Sequence, residues 1–502
     1  MTAATEKSFS RWKAASLLGA VTFFSLIYFY EGGGWNQNSR FDLLRAIVEQ
    51  HTLQIDAYHQ NTQDKAHFKG HYYSDKAPGL VFLAVPVALA AGPVLRVAAI
   101  DPESARGEYV LSWLVTALVV ALPTALAGIC LFFLALKFGC SSIAAAFATV
   151  VMCVGTPIWA YGSVFWAHAL VGACLVFAFA SAVKLRESER AGADFGWALA
   201  VGLAAGWATV TEYPAAPASA ILAFLALGQV WRRGNAARWR VIAGVGLGAA
   251  VCLVVLLSYL HEAFGSFRPS YSYYDPSSFS FMQQQGYMGL TYPHPDRLLK
   301  ILFGCSRGLL FASPVVVAAP VGLWLLGRRS TEGSTEEEKS QRAGAVVVAA
   351  IAAYYFLFNA SFYWWKSGLS FGPRYAGACI PLLCVGLAVA WQRAIPAWRS
   401  VLAGLAGLAA CSVLVALMAV STTSQLAMQD SCPIVHSSWS AFWAGDLAMN
   451  RQSMLQTAEA GGGYGAFNLG QMIGLHGIAS LIPLVAMWGV MVGIWVRICR
   501  AR

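Results

Sequence analysis

The feature that most constrains this chain is a long series of apolar runs, each close to the length of one bilayer-spanning helix. A helix needs roughly 20 apolar residues to cross a bilayer. Such runs fill most of the sequence, which is 58% hydrophobic and only 12% charged, against about 25% charged residues in soluble domains. Backbone groups in lipid must be bonded within the protein, so these runs are predicted to be helices. We therefore expect an all-α polytopic membrane protein with about 12 to 14 transmembrane helices.

Polar stretches between the apolar runs divide the chain into predicted segments. A first span with its basic N-terminus is followed by a long polar loop. Two transmembrane modules come next, each followed by a further loop, and a last span with a basic tail ends the series. In chain order these segments are 1–30, 31–78, 79–262, 263–306, 307–420, 421–470 and 471–502.

Basic residues indicate which ends of the spans face the cytoplasm. Cytoplasmic loops carry an excess of Lys and Arg, and such residues cluster in the connections 231–240, 327–342 and 392–399 and at the C-terminus. The polar loops then face outward. Counting forward from the N-terminus gives the other parity, so either the run 107–136 breaks at Pro123 or the segment after Gly79 does not cross fully. The net charge of +10 follows from these connections, and no nucleic-acid partner is expected.

The cysteines predict no metal or redox centre. Eleven are scattered along the chain without a C-x-x-C pair, and most lie in apolar runs where cysteine behaves as a small hydrophobe. Cys305 and Cys432 both fall in predicted outer loops and could pair. No cofactor and no metal are expected, although His67, His71 and Asp75 have side chains of the type that bind metals.

The first outer loop, 31–78, concentrates ionisable side chains and is interpreted as a catalytic loop held on the membrane core. Ser39 and Asp42 resemble a capping box that opens a short amphipathic helix in the membrane interface. Asp64 lies in a stretch without helical periodicity, which gives its carboxylate more freedom to face a substrate. Asp56 follows a short apolar pair and is the second catalytic candidate.

The end of this loop, 75–79, is its sharpest local signal. Pro78 favours an extended residue before it, and Gly79 permits a tight turn into the second span. This arrangement would hold Lys76 at the membrane surface beside two tyrosines, and a compact ammonium suits a lipid-linked phosphate. Lys76 could equally extend its ammonium to the membrane surface as lysines at span ends commonly do, without binding a phosphate. Asp75 could simply pair with Lys76.

Ionisable residues at four predicted outer span ends are further candidates, because such groups at membrane depth are functional by default. Arg307 and Arg374 are cations on the side where basic residues are scarce, and Arg binds phosphate through two parallel hydrogen bonds. The residues predicted to bind substrate are Asp75, Tyr72, Tyr73, His71, His168 and Glu212.

A basic first span, a long acidic outer loop and a Lys-x-Pro turn together resemble the GT-C membrane glycosyltransferases. The closest likeness is to the family 39-like branch, which holds protein O-mannosyltransferases and aminoarabinose transferases. Asp75-Lys76-Ala77-Pro78 stands where that branch has [DE]-K-P-P, whose lysine contacts the phosphate of a polyprenyl-phosphate carrier. Arg40 matches the arginine of its Asp-Glu-x-Arg-Tyr segment. The family's catalytic aspartate falls on Gln37, which cannot act as a base, so Asp64 and then Asp56 are nominated instead.

The resemblance implies transfer of a sugar from a polyprenyl-phosphate carrier to a lipid, glycan or protein acceptor. It also implies inversion at the anomeric carbon and contact of Lys76 with the donor phosphate. Arg40, Arg307 and Arg374 are the further residues expected to bind that phosphate. The expected location is the bacterial inner membrane, with membrane lipids around the spans and the active site outside the cytoplasm. The alternative is a transporter or flippase of a lipid-linked or small polar solute. That class predicts internal symmetry and paired broken helices, neither of which the sequence displays.

Overall fold

The structure is a computed structural model. It describes residues 3–187, 190–231, 233–275, 280–328, 335–395, 399–450, 452, 454 and 465–500.

Helices make up most of the described chain. Those of the first half are α1 (Ala3–Tyr28), α2 (Trp35–Gln50), α3 (Gly79–Val97), α4 (Ala105–Thr116), α5 (Leu122–Lys137), α6 (Ser142–Val154), α7 (Ile158–Gly162), α8 (Ala167–Leu185), α9 (Ala191–Thr211), α10 (Ala216–Val230) and α11 (Asn235–Phe264). Those of the second half are α12 (Ser280–Gln283), α13 (Pro295–Phe303), α14 (Leu309–Ala312), α15 (Ala318–Gly327), α16 (Glu336–Ser361), α17 (Ile380–Ala394), α18 (Arg399–Thr422), α19 (Trp439–Ala444), α20 (Leu469–Met472) and α21 (Ile482–Arg500).

Two small antiparallel strand pairs complete the described structure. Strands β2 (Lys65–Phe68) and β3 (His71–Ser74) form a hairpin within the first polar loop. Strand β1 (Phe29–Glu31) follows the first helix directly and pairs with β4 (Ala466–Asn468), which precedes the last helices. The second pair therefore joins the two ends of the chain.

The helices agree with the predicted polytopic membrane fold. In the described part of the chain, ten helices are long and apolar enough to cross a membrane. Two shorter apolar helices, Ser142–Val154 and Pro314–Gly327, accompany them, and α1 contains the predicted first span. Helices α8 and α17 are the most buried and form the centre of the bundle, whereas α18 and α21 lie at its edge.

Small residues allow the helices to approach closely, as is usual in membrane bundles. Helices α9 and α11 each carry two glycines four residues apart, Gly202 and Gly206 on one and Gly244 and Gly248 on the other. A Cβ atom on Gly248 would lie 2.6 Å from the backbone nitrogen of Leu203. Any larger side chain there would separate the two helices.

Of the two alternatives left open for the parity of the spans, the break at Pro123 is not observed. The segment Ala105–Lys137 is one continuous helix, in which the residues 117–121 widen into a π-helical turn just before the proline. A proline ring clashes with the carbonyl four residues earlier and supplies no N–H. A π-turn accommodates such an irregularity without ending the helix.

The predicted capping box at Ser39 is wrong, because α2 begins earlier, at Trp35 after Gly34. Both Ser39 and Asp42 lie inside the helix and are fully buried. The side chain of Asn61 donates a hydrogen bond of 3.1 Å to the Asp42 carboxylate. Burial raises the pKa of Asp42 well above its ordinary value. Through the hydrogen bond from Asn61, Asp42 holds the loop onto α2.

Candidate active site

Six separate stretches of the chain meet around one cavity of about 500 Å³ at one end of the bundle. They are the first polar loop, the start of α8, the α9–α10 junction, the loop after α11, the loop after α16 and the segment after α18. The polar and charged residues that line the cavity include Gln37, Arg40, Asp64, Lys76, His168, Glu212, Arg374 and Gln425. Residues distant in sequence therefore share one polar site.

Lys76 lies between two carboxylates on the cavity wall. Its Nζ atom is 2.8 Å from Asp64 Oδ2 and 2.8 Å from Asp75 Oδ2. Burial lowers the pKa of Lys76, but the attraction of Asp64 and Asp75 outweighs it, so the pKa lies above its ordinary value. Lys76 is consequently a fixed positive charge, 5.9 Å from the centre of the Tyr271 ring.

Asp75 is the buried anchor of this group, with no exposed side-chain surface. Its carboxylate accepts hydrogen bonds from Tyr274, at 2.6 Å, and from Ser39, at 3.2 Å. Burial raises the pKa of Asp75, and the nearby Lys76 ammonium opposes that rise. Asp75 therefore positions Lys76 from behind, whereas Asp64 lines the cavity itself.

A second charged group is formed by Arg40, Glu212 and His168. Glu212 is an extended residue between α9 and the short turn Tyr213–Ala215 that leads into α10. Its carboxylate accepts a hydrogen bond from His168 Nδ1 at 2.9 Å and lies 3.9 Å from the Arg40 guanidinium. Arg40 is buried and also donates to the Asn36 side chain. Burial lowers the pKa of Arg40, and Glu212 opposes that change.

Arg374 is the third cation in the cavity. It begins the turn that leads into α17, and its guanidinium carbon lies 5.1 Å from the Trp166 ring centre and 5.8 Å from that of Tyr375. Stacking on aromatic faces holds the guanidinium in place without using all of its N–H groups.

Several buried polar atoms of the cavity wall have no hydrogen-bond partner among the described residues. Buried polar atoms are normally paired, so a cluster of unpaired ones indicates a place where a polar ligand completes the network. The atoms are Gln37 Oε1, Arg40 Nε, Trp166 Nε1, His168 Nε2 and Arg374 Nε.

Six of the twelve predicted site residues do not line this cavity, and Asp75, which lies behind Lys76, is one of them. His71 Nδ1 and a carboxylate oxygen of Asp56 form a 2.7 Å hydrogen bond between side chains that are 47% and 42% exposed. Asp56 also accepts a hydrogen bond from the backbone of Tyr72, whose ring stacks on His59. Tyr73 is buried against Phe264 on the far side of the hairpin. The predicted catalytic role of Asp56 and the predicted substrate roles of His71, Tyr72 and Tyr73 therefore have no support, because these side chains hold the hairpin together.

The expected phosphate-binding role of Arg307 has no support either. Its buried guanidinium donates hydrogen bonds to the carbonyls of Ser306, Lys366, Gly368 and Leu426 at 2.8 to 3.2 Å. Burial lowers the pKa of Arg307 to about 10, so the side chain stays charged at neutral pH. It ties two loops of the cavity wall together instead of facing the cavity.

The segment after α18 forms a lip of the cavity and is fixed at several points. The buried Glu31 carboxylate accepts hydrogen bonds from Thr423, from the backbone of Ser424 and from Gln425, at 2.6 to 3.1 Å. Further along, Cys432 is joined to Cys305 by a disulfide whose Cα atoms are 4.8 Å apart. The possible pairing of these two cysteines is thus observed.

Sequence reasoning missed Trp166, Tyr271, Tyr274 and Gln425 as individual wall residues. The loop after α11 is rich in Tyr and Phe, but this composition does not single out Tyr271 or Tyr274. Trp166 had a usable signal, since it stands two residues before His168 at a predicted span end. Among the described residues, no group of three or more His, Cys, Asp or Glu side chains could hold a metal ion.

No protein-family model and no curated protein matches the chain. Among solved structures, it is similar to ArnT from Cupriavidus metallidurans bound to undecaprenyl phosphate, with a TM-score of 0.51 and 18% identity over 86% of this chain and 68% of that one. ArnT in the apo state gives a TM-score of 0.49 and 17% identity, over 88% and 69% of the two chains. The oligosaccharyltransferase AglB from Archaeoglobus fulgidus, in complex with an inhibitory peptide and a dolichol-phosphate, gives 0.44 and 11%, over 82% and 54%. The expected all-α polytopic membrane fold is therefore confirmed, and the chain shares it with ArnT.

Proposed function

We propose that this protein is a membrane glycosyltransferase that moves a sugar from a polyprenyl-phosphate carrier to an acceptor outside the cytoplasm. The observation that carries the proposal is the convergence of Lys76, Arg40 and Arg374 with carboxylates in a single buried cavity. Three fixed cations at one site suit a phosphate group, since Arg and Lys N–H donors bind phosphate oxygens through short charge-assisted hydrogen bonds.

The rest of the cavity wall suits a lipid-linked sugar. Aromatic rings that can stack on a sugar face include Trp35, Tyr271 and Trp364, and apolar side chains that can contact a lipid chain include Met288, Phe358 and Phe362. The fold supports the same substrate class, because ArnT was crystallised with undecaprenyl phosphate bound. We accordingly assign the donor phosphate to Lys76, Arg40 and Arg374, and we withdraw Arg307 from this set.

The reaction is a displacement at the anomeric carbon, which inverts its configuration as the resemblance implies. The acceptor oxygen forms a bond to that carbon while the bond to the phosphate oxygen breaks. Preorganised cations stabilise the negative charge of the departing phosphate. Two groups on the cavity wall can take the acceptor's proton: Asp64, which the sequence favoured, and His168 backed by Glu212.

The disulfide supports an active site outside the cytoplasm. Cys432 follows the lining residues Met428 and Gln429 closely in sequence and is bonded to Cys305. Disulfides persist in oxidising compartments such as the bacterial periplasm. The basic connection 231–240 supports the same orientation from the opposite end of the helices, where Arg233 and Arg240 pair with Asp194. We therefore propose the bacterial inner membrane, with the cavity on its outer side.

The test of the reaction is to incubate the purified protein with a panel of undecaprenyl-phosphate monosaccharides. Lipid, glycan and peptide fractions of the cell envelope serve as acceptors. Thin-layer analysis should show the carrier-linked sugar disappearing and free undecaprenyl phosphate appearing. A transporter or flippase would leave the sugar attached to its carrier, so recovery of every donor unchanged would refute the proposal in favour of that class.

The orientation is tested with a membrane-impermeant maleimide on intact cells. After mild external reduction, Cys305 and Cys432 should be labelled without opening the inner membrane. The Cys305→Ser/Cys432→Ser double variant is the matched control and should lose this labelling. Labelling that requires a broken inner membrane would place the cavity on the cytoplasmic side.

A further inference from the structure

We infer that His168, held by Glu212, is the general base of the proposed transfer and replaces the carboxylate that is absent at Gln37. This inference rests on the proposed function, because it names the group that accepts the proton in that reaction. It departs from the sequence-based choice of Asp64 and follows from the contacts of the three candidate side chains.

Gln37 cannot perform the proton transfer, although it lines the cavity. Its amide nitrogen donates a hydrogen bond of 2.9 Å to the carbonyl of Gly33. A neutral amide has no basicity near neutral pH, so the position that carries the base in the resembling family is chemically inactive here. Another cavity residue must take the proton.

Asp64 is an unfavourable base because its carboxylate is already committed. One of its oxygens lies 2.8 Å from Lys76 Nζ, which also contacts Asp75. Taking up a proton would break this ion pair and leave the buried lysine with one carboxylate fewer. The contact is better explained as one that orients Lys76 toward the donor phosphate.

His168 has the arrangement that a base requires. Nδ1 faces the Glu212 carboxylate at 2.9 Å, and a carboxylate only accepts hydrogen bonds, so Nδ1 carries the hydrogen. The lone pair of the neutral ring then lies on Nε2, which is buried and has no partner among the described residues. His168 lines the cavity, so the proposal places the acceptor hydroxyl against this nitrogen.

The charged groups around the ring fit a base that works after the donor has bound. Glu212 stabilises the imidazolium that forms, as the carboxylate does in a Ser-His-Asp triad. Arg40 and Arg374 also lie on the same wall and would oppose a positive ring, and Tyr161 packs its ring 5.8 Å away. A phosphate bound to the two arginines offsets their charge, so proton uptake becomes favourable once the donor is present.

In this step the acceptor O–H bond breaks and its proton moves to His168 Nε2. The electron pair of that oxygen forms the new bond to the anomeric carbon. The bond between that carbon and the phosphate oxygen breaks, and its electrons leave with the polyprenyl phosphate, which Lys76, Arg40 and Arg374 hold. The imidazolium afterwards returns its proton to solvent.

The test compares His168→Ala, Glu212→Gln and the exposed-histidine control His67→Ala with the unaltered protein. Transfer is measured with the undecaprenyl-phosphate monosaccharide panel, and donor-site integrity is measured by binding of undecaprenyl phosphate. We expect His168→Ala to lose ~10²–10⁴-fold in rate, the usual contribution of a general base, with unchanged undecaprenyl phosphate binding. Added imidazole should restore part of the rate, with a pH dependence that follows its free base. Glu212→Gln should lower the rate and alter the pH profile, and His67→Ala should change neither.

Each outcome bears on one of the two proposals. A normal rate in His168→Ala would overturn the inference and leave the proposed function intact. If His168→Ala fails to bind undecaprenyl phosphate, Glu212→Gln decides, and an unchanged rate and pH profile there would overturn the inference. An unaltered protein that neither binds undecaprenyl phosphate nor consumes any donor would overturn the proposed function, and the inference with it.

Discussion

The first polar loop contains two acid–base groups of similar composition but different surroundings. The inner group, Lys76 with Asp64 and Asp75, is nearly inaccessible to solvent, and the walls of five other chain segments enclose it. The outer group, Asp56 with His71, is nearly half exposed on the back of the hairpin. The low dielectric around the inner group strengthens its ion pairs, whereas solvent screens the charges of the outer group. Residue type alone therefore does not identify the site, and enclosure by distant segments does.

Removing the Lys76 ammonium of the inner group should have the largest effect on stability and on transfer. Lys76→Ala leaves Asp75 buried without its ionic partner, which typically costs about 3–5 kcal/mol in the free energy of unfolding. Transfer should fall by ~10³-fold because a donor of charge stabilisation is lost at the phosphate. Thermal unfolding and undecaprenyl phosphate affinity measure the two effects, and the exposed lysine variant Lys69→Gln is the control. Unchanged donor affinity in Lys76→Ala would refute its phosphate role.

Arg307→Gln tests the enclosure of the inner group by itself. It should weaken the contacts between the loops of the cavity wall and leave the charged residues that line the cavity unchanged. Up to four carbonyls would lose a hydrogen bond, and each buried unsatisfied group costs about 1–3 kcal/mol. We expect a clear drop in thermal stability and weaker binding of undecaprenyl phosphate, because the loops at Gly368 and Leu426 separate. Arg268→Gln, at an exposed arginine of an adjacent loop, is the matched control. If stability held while binding was lost, Arg307 would return to the phosphate-binding set.

Asp64→Asn separates the orienting role from a role as base. Loss of one charge-assisted hydrogen bond to Lys76, worth about 1.5–3 kcal/mol, should reduce transfer by roughly 10- to 100-fold. The shape of the pH–rate profile should stay as in the unaltered protein, since His168 still accepts the proton. A larger loss together with a pH profile that becomes flat would assign the base to Asp64.

The smallest effect is expected at the outer pair. Asp56→Asn and His71→Ala should leave the transfer rate within about twofold, because exposed ion pairs contribute little and neither side chain reaches the cavity. Initial rates and thermal unfolding measured side by side are sufficient. A fall of two orders of magnitude in Asp56→Asn would restore that residue as a catalytic candidate and remove the contrast between the two groups.

The sequence predicted the parts of the molecule that depend on local physics. Apolar runs identified the helices, and the turn before Gly79 identified Lys76 as a membrane-surface cation. Arg40 came from the resemblance, and His168 and Glu212 came from their places at span ends. These residues share a property that the sequence alone reveals, namely an ionisable side chain at the end of an apolar run.

The errors have a common physical cause in tertiary contacts. Arg307 had the same local signal as Arg374, yet its guanidinium meets four carbonyls from loops as distant as Leu426. Asp56 and Asp64 lie eight residues apart in one loop, but only the second is covered by other segments. A break at Pro123 stayed open as an alternative because a π-turn in the preceding residues leaves no signal in the composition.

The pairing of β1 with β4 has a consequence for how the protein is made. Tyr30 lies opposite Phe467, Gly32 donates a hydrogen bond to Gly465, and Trp488 of the last helix donates to Ser25 of the first. The strand that leads into the first polar loop thus acquires its neighbour only after β4 has been synthesised. A nascent chain that stops before β4 would already carry the charged cavity residues, but β1 would still lack its partner strand.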